Sequence, residues 1–497
     1  MVSRILRDSP LDWRAVAEVA EGADLALSRP VWDGLEEAAR IVDAIAARDI
    51  RAYGVNTGVG ALSDTVVDRP RQARLSRNLL MSHAAGVGDM LPEAEVRAII
   101  AAQVNNHAHG RSGVRAATVE TLLALLTHRC CPEVPSRGSV GYLTHMAHIG
   151  LVLIGEGRAR VGGRVLGGAA ALAAVGRAPL RLVAKEGLSL VNGTPCSTGL
   201  ACLALRRMER LLAAADAVAA LTVEALGAGT AAFGADVLSA RASPGLQASG
   251  EALRARLAGS GALGRGARTQ DALSLRAIPQ VHGAARDAFA AAAVVVDREL
   301  ASVTDNPIVS GTPEAPVVQS QAHAVAAGLA MTLDGLAVAV AQVAAMSERR
   351  LDRMLNPAVS GLPAFLAAEP GVGSGYMIAQ YTAAALAAEN RRLAAPASLD
   401  GGITSALQED FLAHPTAAAT KLLDVVANAE RMLGIELLAG ADAHDLLGRR
   451  DWAAGTAAIL DQVRAVAPLY RDDWPLADHM AAGLALVRAG LAPVPRR

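Results

Sequence analysis

An all-α protein built around a bundle of long helices is what this sequence predicts, and three observations predict it. Four stretches, 200–226, 283–303, 322–355 and 415–447, are long, rich in Ala and Leu, and apolar at helical spacing. Alternating β-branched runs are nearly missing, and "RARVGGRVL" (158–166) is the best hairpin candidate. The long helices are also apolar around most of their circumference, so they need cover on several sides. In a chain that is 52% apolar and only 3% aromatic, Ala, Leu and Val must do that packing. A bundle completed by other subunits satisfies this requirement.

At 497 residues the chain has room for two or three domains or one large helical body. A boundary is expected near residue 200. It separates an N-terminal, loop-rich helical domain (1–200) from a long-helix bundle and oligomerisation domain (201–497). No repeat of 20–50 residues is visible, which argues against a solenoid.

The charge balance of 47 basic and 48 acidic residues, with no basic tail, gives no footing for nucleic acid. The longest apolar stretch, 324–346, contains Asp334 and ends at "SERR", so it reads as a buried oligomer-core helix and no membrane role is expected. The N-terminal "MVSRILRDSPLDW" has no apolar signal region, and four cysteines are too few for a disulfide scaffold. Both features point to the cytoplasm. Cys130 and Cys131 are adjacent and lack metal-site spacing, and His145 and His148 have no third ligand at matching spacing, so no metal is expected.

The loops between helices are unusual. "YGVNTGVGALSD" (53–64), "NLLMSHAAGVGD", "SRGSVGY" (136–142), "SLVNGTPCSTG" (189–199), "TQDALSLRAIPQVHG" (269–283), "TDNPIVSGTPEAP" (304–316) and "ASLDGGITSALQED" (397–410) mix glycine with polar side chains. In an apolar helical body such loops are site candidates. "YGVNTGVG" is not a GxGxxG and follows no strand, so a phosphate cradle is a weak reading. Tyr53 at the rim of a pocket is the sharper one, with a half-buried packing tyrosine as the plain alternative.

Taken in order, these loops together with "GRSGVR", "HIGLVLIGEG", "KEGLSLVNGTPCSTGLA", "QDALSLRAIPQVHGA", "VTDNPIV", "MSERRLDRMLNP" and "TSALQED" resemble the histidine/phenylalanine/tyrosine ammonia-lyase family from about Tyr53 to Asp410. The resemblance implies an all-α homotetramer with sites assembled from several subunits, and a small amino acid as substrate. It implies elimination of ammonia from a histidine-like or aromatic α-amino acid. By position Tyr53 is the base, which works near neutrality only if its surroundings depress a pKa of about 10. Arg276 matches the arginine that grips the substrate carboxylate, a task suited to a planar guanidinium. Asn192 and Asn306 match the amides that orient electrophile and substrate. His83 matches a substrate contact, and Gln408 with Glu409 match the pair at the distal end of the side chain. A carboxylate there suits an imidazole or other polar side chain.

One departure bears on the chemistry. The family's electron sink is a methylidene-imidazolone formed from an internal Ala-Ser-Gly, expected directly after "GSVG". Here Gly141 is followed at once by Tyr142, a shortfall of three residues when counted back from "GEG". A second alignment puts the loss at six, followed by a three-residue insertion. A matured imidazolone standing unseen as one modified residue is one explanation. Real absence is favoured, because Tyr and not Asp follows Gly141, Leu273 replaces a second catalytic tyrosine, Gln103 replaces an arginine, and "QSQAHA" (319–324) replaces a conventional segment. Ala248-Ser249-Gly250 recurs in the Arg-rich connection 250–270 and its flank, where Ser249 reads as a residue near a helix cap. Three readings stay open: an ammonia-lyase with Tyr53 as base, an imidazolone-free relative with altered elimination, or a non-catalytic tetramer that binds an amino acid.

Overall fold

The computed structural model describes residues 4–265, 269–399, 401–449 and 451–495, so 266–268 of the Arg-rich connection and Asp400 of the loop 397–410 lie outside the described residues. The chain forms two compact units. The first takes the chain up to Arg206 together with Ala293–Asp334 and Pro396–Thr420; the second holds Arg207–Ala292, Gly335–Ala395 and the chain from Lys421 onward. The boundary read near residue 200 lies beside the first crossing, and the two later returns to the first unit have no counterpart in it. Four of the five crossings fall inside a long helix, where apolar periodicity carries no mark of a change of unit; the fifth, at Ala395–Pro396, follows the end of helix Met377–Leu393.

The described residues are mostly helical, as expected. Helix Pro415–Leu447 matches the sequence reading at both ends. The other three long helices are Pro195–Ala225, Ile278–Leu300 and Ala327–Leu355, the last preceded by a separate short turn at His323–Val325. The expected hairpin forms with Arg158–Val161 antiparallel to Arg164–Gly167. Unforeseen are a parallel pair, Arg4–Arg7 with Asp24–Leu27, and a hairpin of Ile308–Gly311 with Pro316–Gln319 inside a stretch read as loop.

Capping and periodicity explain the first unit's helices. Asp12 accepts a hydrogen bond from the Ala15 amide at 2.8 Å and so starts Trp13–Ala20. Helix Arg29–Ala47 buries Val31, Leu35, Ala38, Val42 and Ile45 at three- and four-residue spacing. The six-residue helix Glu186–Val191 is wholly buried and packs against Arg69–His83. A Cβ on Gly187 would lie 2.0 Å from the Ser76 carbonyl oxygen, which is backbone and cannot step aside. Gly187→Ala is therefore expected to destabilise the protein by about 1–3 kcal/mol or more, measured by urea denaturation. An unchanged midpoint would show that the two helices separate freely.

Polar pairs run through the interior of the second unit. Arg350 and Glu436, both fully buried, form a two-point pair with Nε–Oε1 at 2.6 Å and Nη2–Oε2 at 2.9 Å. The Thr222 hydroxyl donates to the same carboxylate at 2.7 Å. Ala248-Ser249-Gly250 lies in the middle of helix Pro244–Leu257, not near its cap, which is Ser243. The buried Ser249 hydroxyl donates to Asp216 at 2.7 Å.

Two helical runs are long and apolar enough to cross a membrane, Glu186–Ala225 and His323–Leu355. The apolar window of the first is entirely buried inside the protein; that of the second is 44% buried and leaves Met331 and Val338 exposed.

Candidate active site

Six segments of the first unit line a cavity of about 890 Å³. Seven residues singled out in the sequence line it: Tyr53, His83, Tyr142, Asn192, Asn306, Gln408 and Glu409.

Tyr53 sits on a turn folded by its own polar side chains. The Asn56 carboxamide accepts from the Ala52 amide at 2.8 Å and donates to the Ile50 carbonyl at 2.9 Å. Gly54 adopts φ +63°, and a Cβ there would lie 2.2 Å from Leu188. The Tyr53 hydroxyl oxygen accepts a hydrogen bond from the Gly60 amide at 2.9 Å. Burial pushes the Tyr53 phenol above its ordinary value and the Glu409 carboxylate adds to this, while the Gly60 amide pulls the other way. Within this chain the condition set for a tyrosine base is thus reversed: the phenol is raised, because apolar walls and a carboxylate both disfavour the phenolate.

The loop that joins Gly138 to Thr144 is short and pinned at several points. Ser139 Oγ accepts from the Gly141 amide at 3.0 Å and donates to the Tyr142 carbonyl at 2.9 Å. The Thr416 hydroxyl donates to the Gly141 carbonyl at 3.1 Å. Gly141 has φ +144°, and a Cβ there would press on Pro415 Cδ at 2.8 Å, so glycine is required. Leu143, at φ 76° and ψ −76° with the Thr144 amide 3.2 Å from the Tyr142 carbonyl, closes a γ-turn of the rarer, strained hand. Its own amide is tied to the Val191 carbonyl at 2.9 Å. A methylidene-imidazolone needs an Ala-Ser-Gly here, and the residues present do not fit it: Gly141 and Tyr142 are neighbours in a closed turn. Gly141 itself does not line the cavity; Val140 and Tyr142 on either side do.

The Tyr142 hydroxyl donates to Glu409 Oε2 at 3.0 Å. Burial, and then Glu409, push this phenol upward as well. Glu409, expected at the distal end of a substrate side chain, is thus engaged by a phenol. Gln408 and Glu409 follow three non-glycine residues of left-handed backbone, Ser405, Ala406 and Leu407. That turn is closed by the Thr404 and Glu409 backbones and receives the Ala61 amide on Ser405 Oγ at 3.0 Å.

Asn192 ends the helix Glu186–Val191. Its Nδ2 donates to the Asn306 carbonyl at 2.7 Å, and its Oδ1 accepts from the Gly193 amide at 2.9 Å. The Asn306 carboxamide oxygen accepts from Ser320 Oγ at 3.1 Å and the Gln321 amide at 2.8 Å. His83, read as a loop residue, is instead the last residue of helix Arg69–His83, where burial lowers its pKa.

Arg276 is not brought to this cavity. It closes the short turn Leu273–Arg276 in the second unit, with Nε donating to the Asp271 carbonyl at 3.0 Å. Leu273 beside it is 61% exposed. Ser139 and Ser405 lie in the quoted loops "SRGSVGY" and "TSALQED" without being singled out, and Thr416, inside a long helix, carried no signal because isolated hydroxyls are common. Ser320 and Gln321 did carry one, lying in the divergent "QSQAHA". No cluster suited to a metal ion occurs among the described residues.

A helical scaffold presents tyrosines, carboxamides and a carboxylate from separate loops to one cavity, the arrangement expected of the ammonia-lyase family that the loops resemble. The family model for aromatic amino acid lyases matches residues 11–465. The histidine ammonia-lyase of Deinococcus radiodurans is 43% identical over 92% of this chain and 88% of its own length. Among solved structures, tyrosine aminomutase from Streptomyces globisporus superposes with a TM-score of 0.92 at 33% identity, covering 99% of this chain and 97% of that one. The ergothioneine-degrading enzyme ergothionase from Treponema denticola gives 0.91 at 26% identity, covering 98% and 99%. The chain belongs to the aromatic amino acid lyase family, and it is a carbon–nitrogen lyase.

Proposed function

We propose that this lyase eliminates an amine from a histidine-like α-amino acid using side chains alone, without a methylidene-imidazolone. The observation that carries the proposal is the direct, pinned junction of Gly141 and Tyr142. Tyr53 takes the β-proton, the Cβ–H electron pair becomes the Cα–Cβ double bond, and the Cα–N bond breaks with its pair on nitrogen. With no electrophile to draw off the nitrogen, leaving ability must reside in the substrate. A quaternised ammonium has it, because it departs as a neutral tertiary amine. That one solved relative is named for degrading ergothioneine supports a member of this fold acting on a compound other than histidine, phenylalanine or tyrosine.

Asn192 and Asn306 orient the substrate, His83 contacts it, and Gln408 with Glu409 face the polar end of its side chain. Arg276 is assigned to the substrate carboxylate from a neighbouring subunit of a homotetramer. Exposed apolar residues on helix Ala327–Leu355 and on the loop through Leu399, Ile403, Leu407 and Phe411 support such an assembly. Four unpaired cysteines support a cytoplasmic setting.

The test is a panel of L-histidine, L-phenylalanine, L-tyrosine and their Nα-trimethyl derivatives, followed by absorbance of the unsaturated acid. Turnover of Nα-trimethylhistidine above the free amino acids is expected; faster turnover of free L-histidine overturns the leaving-group assignment, and no turnover at all favours the binding-only reading. Intact-protein mass checks the cofactor independently. A mass equal to the 497 residues is expected. Excess mass of a dehydrated Ala-Ser-Gly, or loss of water from the chain, would overturn it.

A further inference from the structure

Two segments meet behind the cavity's carboxamides. Helix Glu186–Val191 begins after Lys185 and ends at Asn192, and Asp305 immediately precedes Asn306. Lys185 and Asp305 are fully buried, with Nζ 2.8 Å from Asp305 Oδ2. The other two ammonium hydrogen bonds go to Ser189 Oγ and the Ser112 carbonyl, each at 2.8 Å. An ammonium has three donors, and all three are used: two reach other segments, at Asp305 and Ser112, and one stays on Lys185's own helix, at Ser189. The Ser189 hydroxyl in turn donates to the Ser112 carbonyl at 3.0 Å. Lys185 holds left-handed backbone, φ 68°, at the start of its helix. Further along, the same two segments are joined by Asn192 to the Asn306 carbonyl at 2.7 Å and by the Thr194 amide to Thr304 Oγ1 at 3.1 Å.

We propose that the Lys185–Asp305 ion pair is a positioning device: it fixes the register between the two segments so that the side chains of Asn192 and Asn306 converge on the cavity. Neither member of the pair lines the cavity, so both act through the asparagines. Stability alone is a poor account of the pair. Desolvating two charges costs about as much as their attraction returns, and apolar replacements of similar volume are often neutral. Directional bonds from Lys185 to Asp305 and to the Ser112 carbonyl supply what an apolar contact lacks, a single register. The role given to the asparagines rests on the proposed function; the register does not.

The experiment is the double variant Lys185→Met with Asp305→Leu, which leaves no lone buried charge. Thermal unfolding within a few degrees of wild type is expected, with kcat on the best panel substrate down by about tenfold or more. A crystal structure of the variant should place Asn192 Nδ2 farther than roughly 3.5 Å from the Asn306 carbonyl. A variant with wild-type kcat and KM, or one that keeps the 2.7 Å bond, overturns the proposal. Should wild type turn over none of the panel, the crystallographic distance decides alone, so failure of the lyase reading stays separate from failure of this one. If the double variant does not fold, Asp305→Asn carries the same readouts and the same outcomes.

Discussion

Tyr53→Phe is expected to lower kcat by about 10²–10⁴-fold while leaving secondary structure and oligomeric state as in wild type. The substitution removes one oxygen from a half-buried ring and leaves the ring's packing in place. Its structural cost is one hydrogen bond accepted from the Gly60 amide. The pH dependence follows from the direction of the shift. Burial and Glu409 hold the Tyr53 phenol above its ordinary value, so near neutrality the base is almost wholly protonated and inactive. Turnover should climb close to tenfold per pH unit from about pH 7 to about pH 9, and the residual activity of Tyr53→Phe should lack that slope. A variant with wild-type turnover would remove Tyr53 as the base. A flat wild-type profile would show that neighbouring subunits reverse the environment seen within one chain.

The largest stability effect is expected at Arg350. Arg350→Met strips Glu436 of its two-point partner and leaves a fully buried carboxylate with the Thr222 hydroxyl. Breaking a buried pair from one side costs about 3–5 kcal/mol, because the surviving charge has no water to return to. Replacing both members, Arg350→Met with Glu436→Leu, should restore most of that loss. Denaturant unfolding of the two variants decides it: a loss below about 1 kcal/mol in the single variant would mean that water reaches Glu436.

Helix Pro415–Leu447 was legible at both ends because punctuation brackets it, Pro415 at the start and Gly448 after the end. The hairpin Ile308–Gly311 with Pro316–Gln319 was not: no two-residue glycine turn marks it as Gly162-Gly163 marks the hairpin Arg158–Gly167, and Pro316 opens its second strand. Seven residues that line the cavity were legible because glycine-rich polar loops stand out in an apolar helical chain and because their order resembles a known family. Contacts and environments were hidden. Tyr142 and Glu409 are far apart in sequence, and nothing local marks one as the other's partner. The raised Tyr53 phenol depends on walls contributed by distant segments. The left-handed run Ser405–Leu407 contains no glycine, so its sequence gave no warning of its backbone. Arg276 ends the short turn Leu273–Arg276 and does not line the cavity, a placement its motif does not reveal.

The closed loop at Gly141 and Tyr142 also bears on how this protein and its relatives can be interconverted. On one side Gly141 is held by Thr416 and pressed against Pro415; on the other Leu143 is held by the Val191 carbonyl. On the proposed imidazolone-free reading, no series of single-residue exchanges rebuilds an Ala-Ser-Gly between two moored ends. Directed evolution toward the relatives' chemistry would have to begin with an insertion and then release those moorings. Libraries of point mutants, however large, would keep searching within the present chemistry.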